Sequence, residues 1–353
     1  MKKVYVNGKF YAQRITGTQR YARELLNQFD RLLSDESGPK IAFEVLVPPN
    51  AYSVPQYSSL KIRTVGEMNG TQWEQMELPQ HCRGEILFTP CGGAPVLHSR
   101  NVVTIHDAAV AAVPSGYSFA YRFWYRNLCR RMARKAERII TVSNFSKSEI
   151  VKWYGATPEN ISVTYLGSDH FSNLEADSSA MTRFGISGKY VLAASSRNPN
   201  KNFRRIVQAM KEHDTAGAKL VIAGGDDNRI YREGTHLPDG IRALGYVSDA
   251  ELKALYENAS CFVFASLYEG FGLPPLEALS CGCPIVVSRV GSLPEIFDEV
   301  ACFCDPLSPE DIAAAILQTI NRPPKSNDSL REFSKRFSWE KCALETMKLL
   351  DAL

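Results

Sequence analysis

Two carboxylates and the glycine turn between them are the part of this chain best suited to chemistry. Glu269 and Glu277 enclose Gly270-Phe-Gly-Leu-Pro-Pro-Leu276. Ahead of them, the apolar, β-prone run from Ala259 to Ala265 reads as a buried strand. Behind them, Pro274 and Pro275 open a helix, where a missing N–H does no harm. A strand, a glycine turn and a helix N-terminus together make an anion site, because the first N–H groups have no intrahelical partner and the helix dipole favours negative charge. A carboxylate beside such a site binds something other than the anion. Sugar hydroxyls suit it, since a carboxylate accepts several hydrogen bonds. Any α/β protein can place two solvated glutamates on a strand–turn–helix joint. The filled motif, with both glycines and both prolines, is the specific signal.

Other residues share this chemistry. In Ser195-Ser-Arg-Asn-Pro-Asn-Lys-Asn202, Arg197 and Lys201 follow the strand Tyr190–Ala194 and precede a helix. Two cations and free backbone donors suit a diphosphate, although a polar loop with solvated charges would look alike. The strand Val102–Ile105 delivers His106 and Asp107 at its carboxyl end, where open α/β sheets place ligands. A lone histidine is more often structural. Gly17 lies in Ile15-Thr-Gly-Thr-Gln-Arg-Tyr21, a polar glycine turn before a helical pattern starting near Ala22, and permits close approach of a ligand. Tyr246 and Val247 end another strand, and Tyr246 either stacks on a ligand or packs.

Glu-x7-Glu filled with Gly-Phe-Gly-Leu-Pro resembles the signature of retaining glycosyltransferases of family 4, which have the GT-B fold. Thr16-Gly-Thr-Gln-Arg-Tyr21 is similar to the first loop of mannosyl- and related transferases of bacterial surface-polysaccharide assembly. Pro284-Ile-Val-Val287, Gly291-Ser-Leu-Pro-Glu295 and Asp305-Pro306 match further family motifs. The likeness is strongest over 186–341 and looser over 1–185. It implies that Arg197 and Lys201 hold the pyrophosphate and that Glu269 holds hydroxyls of the transferred sugar. It also implies that Glu277 holds the ribose, and that Phe271, Gly272 and Leu273 offer backbone N–H groups. Main chain near Tyr246 and Val247 meets the base, and His106 and Gly17 contact the donor from the other domain. The Arg-to-Lys gap is shorter here than in relatives, and Leu166 stands where Asn is usual. No metal or cofactor is expected, since the cations take a metal's place; Asp226-Asp227 is turn chemistry.

The elements needed to position these residues are legible as alternating strands and helices, hence parallel sheets. The expected class is α/β, GT-B, with two Rossmann-like domains facing a central cleft. Residues 1–170 form the acceptor-binding domain and 171–335 the nucleotide-sugar domain, with a linker at about 168–185. Residues 336–353 form a helix crossing back to the first domain, as in GT-B proteins. Bulk properties agree with this class. The 353 residues are 44% hydrophobic and 22% charged, with a formal charge of +3 that does not suggest nucleic-acid binding. No apolar run of membrane-spanning length occurs. Met1-Lys-Lys-Val-Tyr-Val6 reads as a first strand, not a signal peptide. Nine cysteines in apolar context, including Cys281/Cys283 and Cys302/Cys304, read as core thiols of a reducing cytoplasm.

One stretch stands apart. Arg122, Arg126, Arg130, Arg134 and Arg138 recur every four residues, a basic stripe on one helix, with Tyr121, Trp124, Tyr125, Leu128 and Met132 supplying an aromatic and apolar side. Basic amphipathic helices with aromatics read as membrane-surface elements, while solvated arginines on a core-facing helix are an equal rival. Docking on anionic lipid beside a lipid-linked acceptor is the favoured functional version, with Arg122, Trp124, Arg126 and Arg130 as contacts.

The expected activity is transfer of a sugar, mannose from GDP-mannose first, to a hydroxyl of a glycan or polyprenyl-diphosphate-linked acceptor. The setting is O-antigen or exopolysaccharide synthesis, in the cytoplasm or peripheral on the inner face of the plasma membrane. UDP-sugar donors, a GT-B nucleotide-sugar 2-epimerase, and a non-enzymatic membrane- or partner-binding module remain alternatives.

Overall fold

A computed structural model of the chain describes residues 2–35, 41–113, 117–195, 198–224, 239–321 and 326–353. The chain divides into two units, Met1–Leu166 with Ser338–Leu353, and Gly167–Phe337.

The first unit holds strands β1 (Lys2–Asn7), β2 (Ile41–Val47), β3 (Lys61–Thr64), β4 (Ile86–Thr89), β5 (Asn101–Thr104), β6 (Arg138–Thr141) and β7 (Ile161–Val163). They form one sheet in the order β3-β2-β1-β4-β5-β6-β7, every pairing parallel. Strands β1, β4 and β5 are almost wholly buried, as expected of central parallel strands covered on both faces. The sheet order reverses between β1 and β4, the point at which such sheets bind ligands.

The second unit holds β8 (Tyr190–Ala194), β9 (Lys219–Ala223), β10 (Ile241–Gly245), β11 (Cys261–Phe264), β12 (Ile285–Ser288) and β13 (Cys302–Cys304). Their order is β10-β9-β8-β11-β12-β13, again parallel throughout. The reversal here lies between β8 and β11. A core of Val191, Ile206, Leu220, Val263, Val286, Ile312 and neighbours joins the sheet to the helices Phe203–Glu212 and Pro309–Asn321.

Two local readings change. The first helix begins at Gly17, not near Ala22: Thr16 and Gln19 form a capping box, and the helix runs from Gly17 to Leu33. Gly17 is therefore a helix residue and not part of a turn ahead of the helix. The basic helix runs from Phe119 to Lys135 and stops there because Ala136 is extended. Arg138 belongs to β6, its guanidinium donating to the Glu159 carbonyl at 2.7 Å, so it does not continue the stripe. Cys302 and Cys304 face the same side of a short strand, the period of two that a Cys-x-Cys pair shares with a strand. The helix Trp339–Ala352 belongs to the first unit and packs on Gly17–Leu33, with the rings of Trp339 and Tyr21 6.2 Å apart.

Candidate functional site

In the second unit, the loops following β8 and β11 are stitched together where the sheet order reverses. Asn202 adopts the left-handed conformation (φ 59°) that Asn tolerates better than most residues. Its buried amide donates to the carbonyls of Ala265 (2.9 Å) and Pro306 (2.7 Å). Leu267 N–H donates to the Asn200 carbonyl at 2.7 Å. Between these clamps stands Lys201, whose Nζ lies 2.6 Å from Glu269 Oε1 and 5.1 Å from the Phe264 ring centroid. Both side chains are largely covered, 19% and 11% exposed. The two residues expected to hold diphosphate and sugar thus hold each other.

The loop carrying Glu269 is fixed from below. Its carbonyl accepts from Ser292 N (3.2 Å) and Ser292 Oγ (3.1 Å). Gly291, at φ +63°, lies so close that a Cβ there would stand 2.6 Å from the same carbonyl. The helix Leu273–Ser280 follows, with Gly272 as its N-cap at φ +101°. A Cβ on Gly272 would meet Leu293 Cδ2 at 2.6 Å. Phe271 and Leu273 bury their side chains, Phe271 edge-on to Phe337 at 6.1 Å, so what this corner can offer a ligand is main chain. Glu277, one turn into the helix, is buried, with Oε1 3.2 Å from Nε2 of His170.

A helix start without a side-chain cap thus stands beside one ammonium and two carboxylates, Lys201 and Glu269 on the segments that follow parallel strands and Glu277 within the helix itself. Two family models together span most of the chain: Glycosyltransferase Family 4 over residues 15–170 and Glycosyl transferases group 1 over 182–337. The chain is 33% identical to O-antigen chain mannosyltransferase B of Escherichia coli over 269 residues, which is 70% of this chain and 69% of that one. The chain belongs to glycosyltransferase family 4. A second relative, the O-antigen chain mannosyltransferase RfbU of Salmonella typhimurium, is 25% identical, covering 85% of this chain and 83% of its own. The fold matches sucrose-phosphate synthase from Thermosynechococcus elongatus at TM-score 0.76 and 16% identity, covering 100% and 99% of the two chains. It also matches Anabaena HepE, solved with UDP-glucose, at TM-score 0.73 and 15% identity, covering 100% of both. Both are GT-B neighbours, so the fold is GT-B.

The transferase places its remaining candidates as follows. Arg197 lies outside the described residues, as do Asp226 and Asp227. Tyr246 is 85% exposed just past β10, with Val247 beside it half-buried. In the first unit, Gly17 opens its helix with nothing within 4 Å of a Cβ position, so neither backbone strain nor crowding demands a glycine there. His106 follows β5. Its Nε2 is 3.1 Å from the Pro90 carbonyl, which can only accept, so Nε2 carries the proton and Nδ1 is the accepting nitrogen. Burial lowers its pKa to about 4, so the ring is neutral near pH 7. Tyr21 lies edge-on to it at 4.8 Å.

The helix Phe119–Lys135 buries Leu128, Cys129, Met132 and Ala133 in the core of the first unit. Its first turns do the opposite: Phe119 is 79% and Phe123 66% exposed, with Tyr121 and Trp124 exposed beside them. Arg126 is exposed among these rings, while Arg122 and Arg130 are half-buried, Arg130 near the Trp153 carbonyl. All nine cysteines are free thiols. Among the described residues, no group of three or more His, Cys, Asp and Glu side chains is placed to hold a metal ion, and no helix is long and apolar enough to cross a membrane.

The sequence motifs point to Lys201, Glu269 and Glu277 but not to His170, which lies 107 positions before Glu277 and carries no motif. A buried pair in the first unit, Lys9 and Glu74 at the β1/β4 reversal, likewise carries no motif.

Proposed function

We propose that the transferase moves a sugar from a nucleotide diphosphate sugar to an acceptor hydroxyl with retention at the anomeric carbon, without a metal ion or organic cofactor. The observation that carries this reading is the Lys201–Glu269 pair beside the Gly272 helix start. Lys201 and the helix N-terminus stabilise charge growing on the leaving diphosphate, with Arg197 as a second cation. Glu269 receives hydroxyls of the transferred sugar and Glu277 those of the ribose. His106, kept neutral, meets the sugar as a hydrogen-bond partner. The bond from the anomeric carbon to the phosphate oxygen breaks. The acceptor oxygen bonds that carbon on the same face, and its proton passes to the departing phosphate oxygen.

Mannose from GDP-mannose is the donor favoured by the mannosyltransferase relatives; UDP-sugars are the rival. The acceptor is a glycan or a polyprenyl-diphosphate-linked glycan of O-antigen or exopolysaccharide synthesis. The exposed Phe119, Tyr121, Phe123 and Trp124, flanked by arginines, support peripheral docking on anionic lipid at the inner face of the plasma membrane, each near-surface cation adding ~1 kcal/mol.

The test is transfer measured with GDP-mannose and UDP-sugars on the parent, Lys201→Ala and Glu269→Ala, alongside their melting curves. Both variants lose turnover while keeping the fold; near-parental rates in either overturn its role. For docking, the Arg122→Ala/Arg126→Ala/Arg130→Ala triple variant loses flotation with phosphatidylglycerol vesicles. Unchanged flotation, or none in the parent, overturns docking alone.

A further inference from the structure

We infer that His170 is a positioning residue of the donor site: it aims the Glu277 carboxylate so that ribose hydroxyls of the nucleotide reach it. The inference rests on the reading of Glu277 as the ribose partner.

His170 lies on a short helix, Asp169–Ser172, three residues after the chain enters the second unit at Gly167. So short a helix has little stability of its own. Here it is pinned by the helix Asp249–Asn258, since Lys253 Nζ donates to the carbonyls of Phe171 (2.8 Å) and Leu174 (2.7 Å). Phe171 is buried and meets the Tyr256 ring of that same helix edge-on at 5.9 Å. The His170 ring stands edge-on to Phe171 at 4.9 Å. Its helix and its ring are thus tied down independently of Glu277.

From this bracket Nε2 reaches Glu277 Oε1 at 3.2 Å, both side chains about nine-tenths covered (8% and 10% exposed). A carboxylate has room for about four hydrogen bonds. The imidazole takes one site on Oε1 and leaves Oε2 for a ligand. Glu277 therefore presents a set orientation before the nucleotide arrives, and less freedom is lost when the ribose binds. A group that only filled space here would need no N–H, and one that only satisfied a charge would need no anchored ring. The segment has both.

Two variants separate hydrogen bonding from packing. His170→Phe keeps the ring against Phe171 and removes the N–H; His170→Gln keeps an N–H and removes the ring. GDP and UDP are titrated calorimetrically against each protein, each beside its 2′,3′-dideoxy counterpart, and donor KM and kcat are measured with the matching nucleotide sugar. H170F is expected to weaken the ribose nucleotide about tenfold and leave the dideoxy form within about twofold, because only the former uses Glu277. Donor KM rises by about the same factor with kcat within about threefold. H170Q recovers most of the loss. The inference is overturned if H170F matches the parent, if it weakens both nucleotide forms equally, or if H170Q fails where H170F does not. Glu277→Gln in the same titrations isolates the underlying reading. If it leaves the preference for ribose over dideoxyribose intact, Glu277 is not the ribose partner and both statements fall. If it abolishes the preference while H170F does not, only the role of His170 falls. A parent that binds neither GDP nor UDP overturns both.

Discussion

Removing the ammonium of Lys9 should cost the first unit more than any surface charge would. Lys9 Nζ lies 2.5 Å from Glu74 Oε2, and the other carboxylate oxygen accepts from Asn7 Nδ2 at 2.9 Å. Glu74 is fully buried, on a π-helical turn (Trp73–Glu77) held by the Trp73 indole N–H donating to the Val65 carbonyl at 2.7 Å. Gly93 packs so close that a Cβ there would stand 3.1 Å from Glu74 Oε2, leaving little room for a replacement partner. Lys9→Met leaves a buried carboxylate with only the neutral side chains of Asn7 and Gln75 as donors, a loss of about 3–5 kcal/mol for breaking a buried pair from one side. For a unit of about 150–250 residues, each kcal/mol shifts the midpoint by about 2–4 °C, so a fall of about 6–20 °C is expected. Burial already raises the Glu74 pKa, with Lys9 opposing it. In K9M that opposition is gone and the folded carboxyl holds its proton to higher pH than the unfolded one. The deficit is therefore small in acid and grows as pH rises through the raised folded value. Lys9→Met with Glu74→Gln removes both charges and keeps a partner for Asn7, and should recover most of the loss. Calorimetric melts of the intact chain at about pH 5 and about pH 8 read all of this. A K9M melt within about 2 °C of the parent at the higher pH, or a double variant no better than the single, refutes the coupled buried pair.

Three further outcomes follow from the donor side and from His106. Glu269→Gln frees Lys201 from its internal partner, so free GDP or UDP should bind about tenfold tighter while transfer collapses; weaker binding by calorimetry would show that the ion pair does not compete with diphosphate. Gly272→Ala meets both a left-handed backbone and Leu293, and should destabilise the second unit by about 3 kcal/mol in urea; a change under about 1 kcal/mol refutes the close approach. His106, lowered from 6.5 to about 4 by burial, takes up a proton when unfolded but not when folded within that window, so stability present above pH 6.5 is lost as pH falls toward about 4. His106→Gln should narrow the gap between melting temperatures at about pH 7.5 and about pH 5, and an unchanged gap would mean the ring titrates normally.

Much of the fold could be read locally. Buried parallel strands are continuous apolar runs, so Tyr190–Ala194, and most of the central strands of both sheets, appear in the sequence within a residue or two. Of the caps, Ser143 before Asn144 is legible in residue types, whereas Thr16 with Gln19 lies in a stretch that reads as a polar glycine turn. Where the reading slipped, a single local conformation decided. The arginine spacing is unbroken from 122 to 138, but extended Ala136 ends the helix before the last of them. No periodicity carries that information.

The residues proposed for the donor site divide in the same way. Glu269, Glu277 and Lys201 can be singled out as candidates from the sequence alone, because a strand end, a glycine turn and a helix start form a local device with its own spacing. Their pairings were decided by the tertiary structure. Lys201 meets Glu269 only because Asn202 ties the β8 loop to Ala265, and His170 meets Glu277 only because Lys253 pins a four-residue helix 107 positions away in the chain. Lys9 and Glu74 form a buried pair only because the sheet order reverses between β1 and β4. Spacing along the chain specifies which groups one loop presents; which group on another loop neutralises or orients them depends on sheet order and packing, and these exist only once the chain has folded.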